Sequence, residues 1–90
     1  MVSQKVKIKN PAGLHVHPAG ALCQIANGFE CRVTFRTPNG NVSNAKSLLS
    51  ILGAGVPFGT ELEFVCEGVD EQEALAKIVA AVETSFEDYV

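Results

Sequence analysis

The sequence is poor in basic residues and lacks long apolar runs. Its 90 residues include 7 Lys or Arg and 10 Asp or Glu, for a formal net charge of −3. Nucleic-acid-binding modules gather basic side chains to neutralise phosphates, so this composition argues against a nucleic-acid partner. No apolar run approaches the roughly 20 residues that span a bilayer, and the first ten residues lack the apolar centre of a signal peptide. We therefore expect a cytoplasmic protein that does not insert into membranes.

Cysteine is also scarce, and the three cysteines follow no recognisable motif. Cys23, Cys31 and Cys66 have no C-x-x-C spacing and stand among apolar neighbours. We interpret them as reduced core residues rather than as a redox or metal site. A chain this short forms one domain, residues 1–90, without a deep cleft for a substrate and a cofactor. Surface chemistry or partner binding, without a cofactor, is favoured.

Alternation of apolar and polar residues predicts four strands, at residues 2–9, 31–36, 41–44 and 61–67. Helices are predicted at residues 18–27 and 47–52, and a stripe of apolar residues predicts a third after Asp70. Gly28 is expected to be a left-handed cap of the first helix, and Asp70, with Glu73, the cap of the third. Because every strand alternates, the β-α-β-β-α-β-α order predicts an α+β fold, a two-layer open-faced sandwich with an antiparallel sheet and helices on one face.

Two histidines precede the first predicted helix, in Gly13-Leu14-His15-Val16-His17-Pro18-Ala19. A helix start offers free amides and the positive end of a dipole, which together favour an anion. A neutral imidazole has the lone pair needed to accept a phosphoryl group, and histidine is mostly neutral at cytosolic pH. We therefore predict that His15 is a phosphoryl acceptor and that the amides of Val16 and His17 hold the phosphate.

Other interpretations of the two histidines stay open. His15 could cap the helix and do nothing more, and His17 could be the acceptor in its place. A third alternative is a small metal-binding module that uses His15, His17 and Cys23. Residues i and i+2 do not share a helix face and no further ligand lies nearby in sequence, so we expect no metal site.

The histidine segment resembles the G-[LI]-H-A-R-P-A signature of HPr, the histidine-containing phosphocarrier of the bacterial phosphotransferase system. A second segment, Asn44-Ala45-Lys46-Ser47-Leu48-Leu49, resembles the motif that carries the regulatory serine in HPr of Gram-positive bacteria. The element order matches the family along the whole chain. The resemblance implies an HPr-like sandwich with sheet order 1-4-2-3 and three helices on one face.

The same resemblance implies roles and partners. His15 would take phosphate from Enzyme I and pass it to IIA domains, so that the protein is a transfer intermediate rather than a stand-alone enzyme. Ser47 would be modified by HPr kinase/phosphorylase and bind a catabolite-repression regulator, with His15 and Ser47 on one docking surface. We expect a monomer.

The sequence departs from the family at His17, where the signature has Arg. Arg is permanently charged and donates from a fork of N–H groups, whereas a neutral imidazole has one N–H donor. We expect His17 to contact phosphate in place of Arg and phosphotransfer to be slower or more dependent on pH. The alternative is a regulatory paralogue with impaired phosphotransfer that acts through Ser47 and the second helix.

The second helix is too short to bury all of its apolar residues. Leu48 and Ile51 are expected to face the core, whereas Leu49 and Leu52 stay exposed and form an apolar rim around His15 with Leu14 and Val16. In the family the corresponding positions contact partners. The predicted docking residues are Leu14, Leu48, Leu49 and Leu52; burial of this rim under the 53–59 loop is the alternative.

Overall fold

The structure is a computed structural model, and it describes residues 1–89. The strands are β1 (Val2–Lys7), β2 (Arg32–Arg36), β3 (Val42–Asn44) and β4 (Glu61–Glu67); the helices are α1 (Val16–Asn27), α2 (Leu48–Gly53) and α3 (Glu71–Glu83). A 3-10 turn at Glu87–Tyr89 follows α3. The predicted order of strands and helices is confirmed. Within residues 1–89, no helix has both the length and the apolar character that crossing a membrane requires.

The four strands form one antiparallel sheet in the order β1-β4-β2-β3. Residues Gln4 of β1 and Phe35 of β2 both lie opposite Phe64 of β4, which fixes the register at the centre of the sheet. The predicted fold class, an α+β open-faced sandwich with sheet order 1-4-2-3, is confirmed.

The core lies between the sheet and the helices, on the side that the apolar residues of the alternating strands share. Phe35 and Phe64 are fully buried with ring centroids 5.7 Å apart. Burying side chains of this size contributes about 1.5–3 kcal/mol each. Cys31 and Cys66 are buried and unpaired, and burial, with Cys31 as a neighbour, raises the pKa of the Cys66 thiol to about 12. Both cysteines are core residues, as predicted, while Cys23 is only half-buried.

The first helix ends differently from the prediction. Gly28 has a φ of −76°, so the expected left-handed cap is wrong. Its N–H donates to the Ile25 carbonyl at 3.0 Å, and the next amide, of Phe29, donates to the Ala26 carbonyl at 3.2 Å. These i to i−3 bonds tighten the last turn into a 3-10 form, which satisfies the carbonyls without a left-handed residue.

The third helix also begins differently. Asp70 is the N-cap residue, but its side chain makes no bond to its own helix, so the predicted capping box is wrong. The carboxylate instead accepts the backbone N–H groups of Glu30 and Cys31, each at 2.9 Å, and these amides hold the Asp70 pKa below its usual value. The turn before β2 leaves these two amides without sheet partners, and a carboxylate satisfies both. Asp70 thus ties the end of the α1 segment to the start of α3.

Candidate functional site

His15 stands at the N-terminus of α1. The helix begins at Val16, two residues earlier than predicted, and His15 is its N-cap residue with extended backbone angles, φ −78° and ψ −169°. Its carbonyl accepts the first bond of the helix, from the Ala19 amide at 2.9 Å. Pro18 fits this first turn because its missing N–H would have had no partner there.

The loop before His15 is fixed by its contact with the loop after α2. Gly13 has a φ of +71°, and a Cβ at this position would lie 2.2 Å from the Val56 carbonyl oxygen. The next amide, of Leu14, donates to that same oxygen at 2.9 Å. A glycine is therefore required at position 13. Through these contacts the 53–60 loop fixes the position of the residues that lead into His15.

The first turn of α1 has the donors that an anion needs. Neither the Val16 nor the His17 amide donates a hydrogen bond to any acceptor in the described part of the chain. His15, Val16 and His17 are all exposed. The structure thus brings two free amides and the positive end of the helix dipole together at one exposed point, an arrangement that favours an anion.

The side chain of His15 is free for chemistry. It makes no capping hydrogen bond, so the interpretation of this imidazole as a simple helix cap is wrong. Its ring lies 6.1 Å from that of His17, centroid to centroid, with the two planes at 81°. Residues 14–26 contain no charged side chain apart from the histidines, so no carboxylate of this segment opposes an incoming phosphate.

The C-terminal segment forms part of the site, which sequence reasoning missed. Asn10, His15, His17 and Tyr89 line one groove, together with Pro18, Ala21, Ser85 and Phe86. Ser85 and Phe86 have φ values of 56° and 57°, and this reversal brings the chain end back to the start of α1. The helical stripe predicted that Phe86 is buried, but no pattern in the sequence marks two successive non-glycine residues with left-handed angles.

The residues of the alternative metal site do not come together. Over residues 1–89 no three His, Cys, Asp or Glu side chains are placed to hold one ion. Cys23 lies two turns along α1 from His15, and its thiol donates to the Lys46 carbonyl at 3.5 Å.

Ser47, at the start of the second predicted helix, is the N-cap of α2. Its hydroxyl oxygen accepts the Ser50 amide at 3.2 Å. The turn before Ser47 is attached to the C-terminal end of α1. The Asn27 side chain donates to the Lys46 carbonyl at 3.1 Å, and the Lys46 ammonium donates to the Phe29 carbonyl at 2.7 Å. His15 and Ser47 therefore both lie beside α1, near its opposite ends.

Three exposed apolar side chains lie on the first turns of α1 and α2. Val16 is 63% exposed, Leu48 39% and Leu49 82%. Val16 follows His15 and the two leucines follow Ser47, so they lie near opposite ends of α1; we call the three residues together the apolar patch. Exposure of Val16 and Leu49 was predicted, but Leu48 was expected to face the core. The Ser50 hydroxyl, which accepts the Asn44 amide at 3.0 Å, fixes the rotation of α2 so that its first turn stays outside.

The remaining docking residues are not exposed as predicted. Leu14 is 4% exposed, because its amide pairs with the Val56 carbonyl and draws the residue under the 53–60 loop. Leu52 is half-buried and packs on the core beside Ile51, which is fully buried. The prediction that Leu14 and Leu52 form an exposed rim is therefore wrong, and the apolar surface near His15 is smaller than expected.

Comparison with known proteins identifies the family. A sequence model described as PTS HPr component phosphorylation site matches residues 2–84, which include both His15 and Ser47. The chain belongs to the HPr family. Members of this family are phosphocarrier proteins of phosphotransferase systems.

The similarity to HPr-family relatives covers almost the whole chain. This chain is 41% identical to the HPr-like protein Crh of Bacillus subtilis (strain 168) over 83 residues, and these residues cover 92% of this chain and 96% of Crh. It is 32% identical over 87 residues to phosphocarrier protein NPr of Escherichia coli (strain K12), 97% of each chain. The crystal structure of HPr-C-His from Thermoanaerobacter tengcongensis superposes with a TM-score of 0.91 at 35% identity, covering 96% of each chain.

Proposed function

We propose that this protein accepts a phosphoryl group on His15 from phospho-Enzyme I and transfers it to IIA domains of a sugar phosphotransferase system. The observation that supports this most is the exposed, uncapped imidazole of His15 beside the two free amides of Val16 and His17. Phosphoryl transfer depends mainly on positioning and on stabilising negative charge, and the helix start provides both. The protein is a carrier, and the sugar specificity lies in its partners.

The transfer step is balanced without a cofactor. The lone pair of one ring nitrogen of neutral His15 attacks phosphorus, a P–N bond forms, and the bond from phosphorus to the donor group of Enzyme I breaks. The electron pair of the broken bond goes to the donor group of Enzyme I, and the other ring nitrogen of His15 keeps the one proton of the neutral ring. The reverse steps deliver the group to the IIA acceptor. During both steps the amides of Val16 and His17 face the phosphoryl oxygens.

His17 takes the place of the Arg of the family signature. An imidazole that is protonated offers two N–H donors and a positive charge, whereas a neutral one offers a single donor. We propose that the protonated form of His17 contacts the phosphoryl group, so that transfer slows as pH rises. No carboxylate from residues 14–26 competes for His17.

The experiment is phosphorylation with purified Enzyme I and radiolabelled phosphoenolpyruvate. We expect an acid-labile, base-stable phosphate on the wild-type protein, none on His15→Ala, and faster labelling of His17→Arg. His17→Ala is the matched control at the neighbouring histidine: it should still be labelled, more slowly. Labelling of His15→Ala would make His17 the acceptor and contradict the proposal.

A regulatory paralogue is the second candidate, and two observations favour it. His17 departs from the signature, and the relative Crh is named as an HPr-like protein rather than as a phosphocarrier. In this case Ser47 and the apolar patch would bind a kinase and a regulator while phosphotransfer is impaired. A wild-type chain that stays unlabelled, while His17→Arg is labelled readily, would support this function against the first.

Ser47 is the proposed regulatory site for HPr kinase/phosphorylase. A phosphate on a helix N-cap meets the favourable end of the dipole and adds about −1.5 to −2 charge to the surface. A catabolite-repression regulator with basic groups would gain affinity from it. Incubation with HPr kinase/phosphorylase and ATP should label the wild type and not Ser47→Ala, and Ser50→Ala is the matched control within the same helix.

We propose a cytoplasmic monomer whose apolar patch is the docking surface for Enzyme I and the IIA domains. The relative Crh has been solved as a dimer with a swapped domain, so the monomer needs its own test. Sedimentation equilibrium at micromolar concentration should give the mass of one chain, about 9.5 kDa. A mass of two chains would contradict the proposal.

A further inference from the structure

The side chain of Asn10 carries an unsatisfied acceptor next to the candidate site. Its Nδ2 donates to the Ser85 carbonyl at 3.0 Å, whereas its Oδ1, buried, is the one buried side-chain nitrogen or oxygen within residues 1–89 that has no hydrogen-bond partner. Rotating the amide by 180° would place Oδ1 against the Ser85 carbonyl, which also accepts only. The orientation is thus set by Ser85, and Oδ1 is left needing a donor.

Candidate donors for this acceptor belong to residues that line the same groove. A cavity of about 170 Å³ is lined by Asn10, by His15 and His17 from the start of α1, and by Ser85 and Tyr89 from the C-terminal segment. The side-chain donors of these four partners are of two kinds, an imidazole N–H and a hydroxyl.

The imidazole of His17 is the donor that the chemistry of the site favours. A protonated imidazole donates from two nitrogens on different edges of the ring, so one N–H can bond Oδ1 while the other stays available. His15 needs one ring nitrogen free of hydrogen for the phosphoryl group, and its ring centroid lies 6.1 Å from that of His17. A neutral amide oxygen also favours the charged form of the imidazole that donates to it.

We propose that Asn10 is a positioning residue, whose Oδ1 accepts a hydrogen bond from the imidazole of His17 and turns the opposite N–H towards a phosphoryl group on His15. The proposal rests on the proposed function of His15. The bond to Asn10 would fix the orientation of the His17 ring, which an unanchored imidazole lacks, and would leave one N–H for the phosphoryl group. The Ser85 carbonyl then has a role in phosphotransfer through the orientation of Asn10.

Few titratable groups share the groove with His17. Titratable side chains that line the groove, over the described residues, are His15 from the start of α1 and Tyr89 from the 3-10 turn. Glu87 and Asp88 of that turn are exposed and do not line it, and Lys9, beside Asn10 in sequence, is exposed too.

The test is a pH titration of both imidazoles by long-range ¹H–¹⁵N correlation spectra of the uniformly labelled, unphosphorylated protein. This experiment needs no phosphotransfer, so its outcome is separate from the outcome of Enzyme I labelling. In the wild type we expect one dominant tautomer of neutral His17. In Asn10→Ala we expect mixed tautomers of neutral His17, with a smaller change at His15.

Three further variants keep the result interpretable. Asn10→Asp and Asn10→Ala both lose the N–H that donates to the Ser85 carbonyl, but Asn10→Asp keeps an acceptor, so His17 should keep one dominant tautomer in Asn10→Asp and lose it in Asn10→Ala. Ser85→Ala and Tyr89→Phe remove the competing hydroxyls and should leave the His17 tautomer unchanged. An unchanged His17 tautomer in Asn10→Ala, or a change reproduced by either hydroxyl variant, would overturn the proposal.

The kinetic consequence supplies a second readout. With wild-type protein, the rate of labelling by Enzyme I should pass through a maximum, because His15 must be neutral and His17 protonated, and should fall as pH rises beyond that maximum. With Asn10→Ala the maximum should be lower and the fall beyond it shallower. Parallel pH profiles for the two proteins would show that Asn10 does not act through His17.

Discussion

Replacing Gly13 with alanine should destabilise the protein and displace the loop that leads into His15. The backbone of Gly13 is left-handed, with φ +71°, which costs an L-residue roughly 1–2 kcal/mol. The new methyl would lie 2.2 Å from the Val56 oxygen and 2.8 Å from the Pro57 Cα, so one loop must shift, at a cost of about 1–3 kcal/mol. We therefore expect Gly13→Ala to lower the free energy of unfolding by about 2–5 kcal/mol.

The same substitution at Gly20 is the matched control and has the opposite sign. A Cβ at Gly20, in the middle of α1, meets nothing within 4 Å. Alanine is the better helix former by about 0.5–1 kcal/mol, so Gly20→Ala should stabilise the protein by that amount.

Urea unfolding followed by circular dichroism measures both variants. Labelling by Enzyme I, at a temperature where both are folded, should be slower for Gly13→Ala because the pairing of Leu14 with Val56 is disturbed and His15 moves with it. A Gly13→Ala protein within 0.5 kcal/mol of wild type, or a destabilised Gly20→Ala, would refute the argument from the two loop contacts.

Three other substitutions test separate features. Ser47→Ala removes the N-cap of α2 and should cost about 1 kcal/mol in urea unfolding, and an unchanged midpoint would contradict a capping role. Leu49→Ser alters a side chain that is 82% exposed, so the free energy of unfolding should stay within about 0.5 kcal/mol of wild type. The KM for labelling by Enzyme I should rise, and an unchanged KM would exclude Leu49 from the docking surface. Asp70→Asn weakens the bonds to the Glu30 and Cys31 amides and should lower the melting temperature at pH 7. The pKa of Asp70 is depressed in the folded state, so its stabilisation of the fold is present above the unfolded pKa of about 3.9 and is lost as pH falls further. The difference in melting temperature between Asp70→Asn and wild type should therefore narrow below about pH 4. A difference that stays constant down to about pH 2 would contradict this.

The sheet was predictable because its signals are local and repeated. In β4, Leu62, Phe64 and Cys66 are buried on one face, as the period of two requires. The strand order was a different matter: alternation predicts an antiparallel sheet but does not say which strands are neighbours, and the order followed from the resemblance to HPr.

Helix ends were less predictable because caps respond to distant groups. Asp70 stands in the right place for a cap, but the amides of Glu30 and Cys31, some 40 residues away, take its carboxylate. A sequence pattern cannot weigh such competition, since the competing donors become neighbours only after the chain has folded.

The candidate site was predictable where its chemistry is local. His15, the amides of Val16 and His17, and Ser47 lie in two short segments whose spacing relative to a helix start carries the signal. The walls of the site are non-local. Burial of Leu14 depends on the 53–60 loop, and the positions of Asn10 and Tyr89 depend on the chain reversal at Ser85, so no window of neighbouring residues predicts them.

Helix α1 also sets how the two candidate phosphorylation sites can influence each other. Its side chains at Cys23 and Asn27 hold the Lys46 carbonyl, next to Ser47, on the order of 12–18 Å along the axis from His15. Solvent ions at physiological strength screen exposed charges beyond about 8 Å. A phosphate on Ser47 therefore repels one on His15 only weakly through the field alone. A strong antagonism between the two modifications would need a partner whose footprint covers the full length of the helix, and it would then depend on the partner.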